Sequence, residues 1–310
     1  MTTGSRRDAG ASIRQRLLEH ARRHGDDYQR VLTRYAIERL LFRLGQTEAA
    51  ERYVLKGAVL FLTWPQHTFR PTGDLDLLGH GDPEPAAIAD LFTAICSVEF
   101  ADDGIAFDAA AIQVEAMREA ETYRGVRLRV VGELARARIP VQVDIGFGDH
   151  VFPAPKRQAF PGLIPGLPLP SILMYPPETV VAEKFEAMIR FGVGNSRLKD
   201  FHDIWVTTRT FRFDLPVLVE AILGTLARRG TAAPAQTPVA LTAEFARQAL
   251  DGGFWSGFLR RNPPAQMPPS FAQVQEELRQ FFGPVIASLA RPEAARGRWD
   301  PDSATWQPAT

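Results

Sequence analysis

The chain has 310 residues, of which 45% are apolar and 23% are charged, so it can build one large or two ordinary folded domains. This composition excludes a disordered chain, and the formal net charge of zero excludes a partner selected by global charge. The single cysteine, Cys96, excludes an internal disulfide, and no apolar run reaches the roughly 18–20 residues of a membrane span. With no apolar signal core in residues 1–10, we expect a cytoplasmic protein without a membrane partner.

Charge is distributed unevenly along the sequence. Residues 1–50 carry a net charge of +4, residues 74–121 carry −11, and residues 122–157 carry +4. An acidic block suits metal binding and basic flanks suit phosphates, although solvated surface faces would explain the same pattern.

The first half of the chain predicts two helices followed by a mixed region of strands and helices. Apolar residues recur at helical spacing within 11–50, with Asp26 or Asp27 as the cap of the second helix and Gly45 as its end. The elements predicted next are a strand at 53–56, a helix at 58–64, a strand at 74–78, a helix at 86–95, strands within 98–131 and an alternating strand at 140–146.

The second half predicts helices after a segment rich in proline and glycine. Residues 152–177 predict a linker or an extended crossing segment. Helices are predicted at 177–191, 197–209, 215–229, 242–250 and 270–290. The predicted fold class is α+β, with N-terminal helices on the core (1–50), an α/β core (51–175), a helical domain completing the active site (176–290) and a flexible tail (291–310).

The triplet Asp74-Leu75-Asp76 predicts a metal site. Strand side chains alternate, so both carboxylates lie on one face while Leu75 and Leu77 point into a core. Oxygen ligands of this kind suit hard divalent cations. The triplet alone is weak evidence, because Asp300-Pro301-Asp302 has the same spacing in the predicted tail.

Three further features bear on the same chemistry. Asp144 lies in the alternating strand and could join the first pair on a neighbouring strand, although a strand with one wet face explains it equally. Lys56-Gly57 stands at a strand-to-helix junction, where glycine lets a phosphate approach the backbone, although many such pairs are only turns.

A lysine in an apolar helix is the last of these features. Lys184 lies between Val181 and Phe185 and requires an anionic partner or a phosphate. Asp200 and Asp203, spaced i, i+3 on the next helix, could supply it. The alternative is an ordinary pair of amphipathic helices with surface ion pairs.

Taken together, these motifs resemble the AbiEii/AbiGii toxin family of nucleotidyltransferases, to which MenT-type toxins of toxin–antitoxin and phage-defence systems are close. The resemblance covers residues 50–206 in order, through Leu55–Leu62, Arg70–Leu77, Val143-Asp144, Ala182–Ala187 and Arg197–Asp203. One departure is Ala58-Val59 after Gly57, where the family signature has a small or hydroxyl pair, with Thr63 or Thr72 as candidate substitutes.

The resemblance implies a polymerase-beta-like mixed sheet with a helical C-terminal domain, and transfer of a nucleoside monophosphate from an NTP to a hydroxyl. It implies two Mg²⁺ ions, with Mn²⁺ as the alternative, roughly 3.5–4 Å apart. The implied metal ligands are Asp74, Asp76 and Asp144; the implied catalytic residues are Asp74, Asp76, Lys184, Asp200 and Asp203; and the implied nucleotide-binding residues are Lys56, Gly57, Arg70, Thr72, Arg190, Arg197 and Lys199.

The implied partners are an NTP, the 3′ end of tRNA and a cognate antitoxin. The basic residues Arg14, Arg16, Arg22 and Arg23 could guide an RNA backbone. The alternatives are an acceptor hydroxyl on a protein or small molecule, a catalytically silent module that binds NTP or an antitoxin, and a plain helical scaffold. Which of Asp200 and Asp203 orients Lys184 is open at this point.

Overall fold

A computed structural model describes residues 3–65, 72–119, 123–192, 197–251, 253–261, 263 and 267–308. The chain divides into two compact units. The sheet unit comprises residues 1–63, 71–148 and 156–174, and the helical unit comprises residues 64–70, 149–155 and 175–310.

The sheet unit contains a mixed eight-stranded sheet with helices. Its elements are α1 (Thr3–His24), α2 (Tyr28–Gly45), β1 (Tyr53–Lys56), α3 (Gly57–Leu60), β2 (Asp74–Gly79), α4 (Pro85–Cys96), β3 (Ile105–Phe107), β4 (Gln113–Glu119), β5 (Tyr123–Leu134), β6 (Ala137–Phe147), β7 (Lys156–Ala159) and β8 (Ser171–Met174). The strands follow the order β3-β5-β6-β2-β1-β8-β7, and β4 pairs with β5. The pairs β1–β8 and β2–β6 are parallel and the others are antiparallel.

The alternating patterns place the strand faces as predicted. In β6, Val141, Val143 and Ile145 are buried while Gln142 and Asp144 are half-buried. In β2, Leu75 and Leu77 are buried and leave the intervening positions on the opposite face. The two strands pair in parallel, so their apolar faces form one continuous layer of the core.

The predicted N-terminal helices are present, and the structure selects between the two candidate caps. Asp27 accepts a hydrogen bond from the Arg30 amide at 2.9 Å and caps α2, which ends at Gly45. A buried ion pair then ties α2 to the chain before β3, because the Arg43 guanidinium contacts both carboxylate oxygens of Asp103.

The helical unit contains all five predicted C-terminal helices, and its described residues also form three short strands. Its elements are α5 (Pro177–Phe191), α6 (Leu198–Thr210), β9 (Phe213–Asp214), α7 (Leu215–Arg229), α8 (Ala243–Asp251), α9 (Phe254–Arg261), α10 (Phe271–Leu289), β10 (Arg298–Asp300) and β11 (Thr305–Gln307). Ser270 forms a capping box with Gln273 at the start of α10. The helix α9 has no counterpart in the sequence prediction.

Two expectations differ from the structure. The Pro- and Gly-rich segment 152–177 contains β7 and β8, which extend the sheet beside β1. The predicted flexible tail contains β10 and β11, and β10 pairs with β9. Trp299 in β10 is buried and its indole N–H donates to the Thr208 carbonyl at 2.7 Å, so apolar burial fixes this segment.

The mixed sheet and the predominantly helical second unit confirm the α+β fold class. Among the described residues, no helix combines the length and apolar character that crossing a bilayer demands.

Candidate active site

A row of four charged residues crosses four neighbouring strands of the sheet. Lys56 on β1 lies opposite Asp76 on β2, Asp76 opposite Asp144 on β6, and Asp144 opposite Arg127 on β5. Directly opposed residues on paired strands point to the same face, and neighbouring strands are roughly 4.8 Å apart. The row therefore places two carboxylates side by side with a cation at each end.

Asp74 lies on the same face, two residues before Asp76. It is exposed and stands opposite Gln142 of β6, whereas Asp76 is half-buried. The Asp-x-Asp pair thus projects from one face of β2, with Leu75 buried behind it. This is the side-chain placement that the alternation predicts.

Gly57 occupies a backbone position that only glycine fits. Its φ of +69° lies in the left-handed region, and a Cβ built there would overlap the Asp76 carboxylate and approach the Asp76 Cβ to 2.6 Å. Lys56 ends β1 and Gly57 begins α3, so the turn brings the backbone directly against Asp76. The sequence reasoning assigned this glycine to phosphate approach; the structure adds a close contact with a predicted catalytic acid.

Asp144 forms a forked ion pair with Arg127. Arg127 Nε donates to Oδ1 and Nη2 donates to Oδ2, both at 2.8 Å, and Gln142 donates to Oδ2 at 3.3 Å. The hydrogen bonds that Arg127 donates to Asp144 raise the pKa of Arg127 above its ordinary value. The role of Asp144 as a metal ligand stays a prediction.

Sequence reasoning missed Arg127. The signal was available in the run Val126-Arg127-Leu128-Arg129, where apolar residues alternate with arginines as they do along a strand with one polar face. The side-chain partner of Arg127 depends on the β5–β6 register, which the local sequence does not give.

A second cluster of predicted residues lies within the helical unit, on α5 and α6. Lys184 Nζ donates to Asp200 Oδ1 at 3.0 Å and to Asp203 Oδ2 at 2.7 Å. Both carboxylates are buried, at 0% and 2% side-chain exposure, and the Lys184 side chain is 16% exposed. The sequence leaves open which acid orients Lys184; in the structure both carboxylates contact its ammonium group, and their catalytic roles stay predictions.

Arg197 extends this cluster toward solvent. Its Nε lies 2.9 Å from Asp200 Oδ2 just before α6 begins. The guanidinium groups of Arg197 and Arg190 lie 5.6 Å and 4.7 Å from the centre of the Phe191 ring. The ring thus holds two predicted nucleotide-binding arginines near the C-terminal end of α5.

The remaining predicted nucleotide-binding residues are Thr72, Lys199 and Arg70. Thr72 is half-buried two residues before Asp74, and Lys199 is exposed in the first turn of α6. Arg70 lies outside the described residues.

A sequence model described as "Nucleotidyl transferase AbiEii toxin, Type IV TA system" matches residues 39–277. The chain belongs to the AbiEii family. This confirms the nucleotidyltransferase and toxin predictions, and it implies an NTP substrate and an antitoxin partner. The matched residues include parts of both units, and they contain the charged row and the Lys184 cluster.

Two solved structures from Helicobacter pylori are similar to this AbiEii chain. JHP933 is 12% identical, covering 82% of this chain and 90% of its own, with a TM-score of 0.43. A candidate nucleotidyltransferase is 13% identical, covering 82% and 92%, also with a TM-score of 0.43. No curated protein shows significant similarity to the chain.

Nucleotidyltransferases of this kind generally use divalent metals, and the donor set of the AbiEii chain fits such ions. Asp74 and Asp76 offer hard carboxylate oxygens from one face of one strand, beside a third carboxylate at Asp144. Like charges at this spacing repel each other, and bound cations would relieve that repulsion.

Proposed function

We propose that this AbiEii toxin transfers a nucleoside monophosphate from an NTP to the 3′ end of tRNA, with Mg²⁺ held by Asp74 and Asp76. The observation that carries the proposal is the placement of these two acids on one face of β2, with Asp144 opposite Asp76. Bound there, the metal would stabilise charge on the triphosphate and activate the acceptor hydroxyl.

The proposed reaction is a substitution at the α-phosphorus of the NTP. The oxygen of the acceptor hydroxyl bonds to the α-phosphorus, and its proton is lost to solvent. The bond between the α-phosphorus and the bridging oxygen breaks, and pyrophosphate leaves. The protein positions the reactants and neutralises charge, which is the main source of rate in phosphoryl-type transfer.

Two groups of side chains would bind the triphosphate. Lys56 and Gly57 lie at the end of the charged row next to Asp76, where the cationic side chain of Lys56 suits phosphate oxygens. Lys184, oriented by Asp200 and Asp203, would contribute a fixed ammonium group. Arg190, Arg197 and Lys199 would add positive charge, and the family resemblance adds Arg70 and Thr72 as further nucleotide-binding residues.

The choice of tRNA as acceptor follows the family resemblance, in which relatives modify tRNA 3′ ends. The exposed, basic end of α1 supports an RNA partner, because Arg22 and Arg23 face solvent in its last turn. Arg14 and Arg16 are also exposed, although each donates to a backbone carbonyl, those of Ala135 and Pro165.

The test uses the full-length protein, tRNA and each NTP labelled on the α-phosphate. We expect Mg²⁺-dependent labelling of tRNA, and a loss of at least about 100-fold in Asp76→Asn, typical of removing a group that stabilises transition-state charge. Asp302→Asn is the matched control, since Asp302 belongs to the second Asp-x-Asp triplet and is 88% exposed. Full labelling by Asp76→Asn would show that the proposed metal site is wrong.

Parallel reactions with lysate protein and with an aminoglycoside identify the acceptor. Label in either of these, with none in tRNA, would show that the acceptor is a protein or a small molecule. The assignment of nucleotidyl transfer would then stand. Growth provides a second readout, because expression of the wild-type toxin should arrest cells and Asp76→Asn should not. Arrest by both proteins would favour a catalytically silent mode of toxicity.

A further inference from the structure

Arg127 is held in one orientation at the edge of the carboxylate face. Two parallel hydrogen bonds of 2.8 Å fix its guanidinium on Asp144, while a third of the side chain remains exposed. A fork of this kind is strongly directional, because the planar guanidinium matches both carboxylate oxygens at once.

The ion pair with Asp144 uses only some of the N–H donors of the Arg127 guanidinium. Nε and Nη2 contact Asp144, and within the described residues Nη1 has no acceptor. A guanidinium carries five N–H donors, so several are available to a ligand while the orientation is kept.

The same fork occupies Asp144. Oδ2 accepts hydrogen bonds from Arg127 and Gln142, and Oδ1 accepts one from Arg127, so one lone pair of Oδ1 is left for a metal ion. Among described residues, Asp74, Asp76 and Asp144 do not form a group whose ligand oxygens all lie within 4.8 Å of one another. The contacts of Asp144 therefore differ from those expected of a third metal ligand.

Position along the row indicates what Arg127 would bind. It lies two strand spacings from Asp76, roughly 9–10 Å between Cα atoms, and on the opposite side from Lys56 and Gly57. Phosphate oxygens brought to Asp74 and Asp76 would thus have a fixed cation at each end of the row.

We propose that Arg127 binds a phosphate group of the substrate and that Asp144 is its positioning residue, which fixes the guanidinium and leaves metal binding to Asp74 and Asp76. This inference rests on the proposed nucleotidyl transfer and extends it. The phosphate belongs either to the NTP or to the RNA acceptor, which share the same chemistry.

The first measurement is binding without turnover, by calorimetry with Mn²⁺ alone, with a non-transferable NTP analogue plus Mg²⁺, and with tRNA alone. The variants are Arg127→Ala, Arg127→Lys, Asp144→Asn and the double variant Arg127→Ala/Asp144→Asn. Arg138→Ala is the matched control, because Arg138 lies on the same hairpin opposite Glu133, and both side chains are exposed.

We expect Arg127→Ala to weaken binding of either the analogue or tRNA by about 10- to 100-fold, the loss typical of a charged hydrogen bond. Asp144→Asn should weaken binding of the same ligand. The double variant should bind that ligand no more weakly than Arg127→Ala does. Arg127→Lys should recover part of the affinity, and Mn²⁺ affinity should stay unchanged in Asp144→Asn. Which ligand loses affinity identifies the source of the phosphate.

Two results would overturn the inference. In the first, Asp144→Asn weakens Mn²⁺ binding tenfold or more, as loss of a metal ligand would. In the second, Arg127→Ala binds both phosphate ligands as well as Arg138→Ala does. Failure of the proposed function looks different, because then the wild-type protein itself transfers no nucleotide.

Discussion

The backbone of Gly57 lies so close to the Asp76 carboxylate that a single methyl group cannot be placed between them. A Cβ at Gly57 would overlap the carboxylate and would lie 2.6 Å from the Asp76 Cβ. The Asp76 Cβ is fixed by its own backbone, so rotation of the Asp76 side chain cannot relieve the clash. The glycine therefore determines where a predicted catalytic acid lies.

Gly57→Ala should abolish most nucleotidyl transfer while leaving the protein folded. The displaced Asp76 should reduce activity by at least about 100-fold, because misplacement of a catalytic group by about 1 Å has effects of this size. Gly25→Ala controls for backbone strain, since Gly25 has a similar φ of +71° and no atom within 4 Å of its added Cβ. Gly25→Ala should lose about 1–2 kcal/mol of unfolding free energy from its left-handed backbone alone, and Gly57→Ala should lose more because its Cβ also displaces Asp76. Equal activity in the two variants would contradict the argument.

Lys184→Met should destabilise the helical unit, because it leaves the buried carboxylates of Asp200 and Asp203 without their shared ammonium group. Breaking a buried ion pair from one side costs about 3–5 kcal/mol. The Lys184→Met protein should therefore unfold at a lower urea concentration than the wild-type protein.

Urea unfolding measures this loss of stability. Lys156→Met is the control, because Lys156 is exposed on β7 and a surface change of this kind should stay within about 0.5 kcal/mol. A loss of stability in Lys184→Met no larger than that in Lys156→Met would contradict the role of the buried ion pairs.

Local patterns in the sequence were sufficient for much of the fold. The alternation through Val141, Val143 and Ile145 predicted β6, and the spacing of Asp74 and Asp76 predicted their common face. Pro177 at the first position of α5 marked the start of that helix. Each of these signals depends on residues close together in the chain.

What the sequence did not give depends on pairing between distant segments. The strands β7 and β8 lie in a Pro-rich stretch, and it is their pairing with each other and with β1 that makes them strands. The contact between Arg127 and Asp144 likewise requires the β5–β6 register, and Trp299 is buried only because β10 reaches β9. Propensity and periodicity carry no information on such registers.

Cys96 should resist thiol reagents in the native protein. Burial raises the pKa of its thiol to about 12, so almost no thiolate forms at pH 8. We expect negligible reaction with an aromatic disulfide reagent over minutes in buffer, and one equivalent of reaction in urea. A Ser97→Cys variant serves as the accessible control, because Ser97 is the exposed neighbour at the end of α4. Rapid labelling of the native wild-type thiol would show that α4 opens readily.

Trp299→Ala should destabilise the helical unit as much as a core substitution does. The Trp299 side chain is buried, donates to the Thr208 carbonyl, and packs edge-on against Phe281 with ring centres 4.8 Å apart. Removing a buried tryptophan costs about 3–5 kcal/mol. Arg298→Ala is the control on the same strand, because that side chain is 59% exposed and its ion pair with Asp214 should contribute under about 1 kcal/mol.

Trp299→Phe separates the contribution of ring packing from that of the indole hydrogen bond. It keeps ring packing but loses the indole N–H, so the Thr208 carbonyl loses its donor and stability should fall by about 1–3 kcal/mol. Thermal and urea unfolding of the three variants measure these differences. If Trp299→Ala unfolded at the same urea concentration as Arg298→Ala, the segment 291–310 would be a loosely held tail after all. A large difference between the two would instead show that the last residues of the chain stabilise α10 and α6, the helix that carries Asp200 and Asp203.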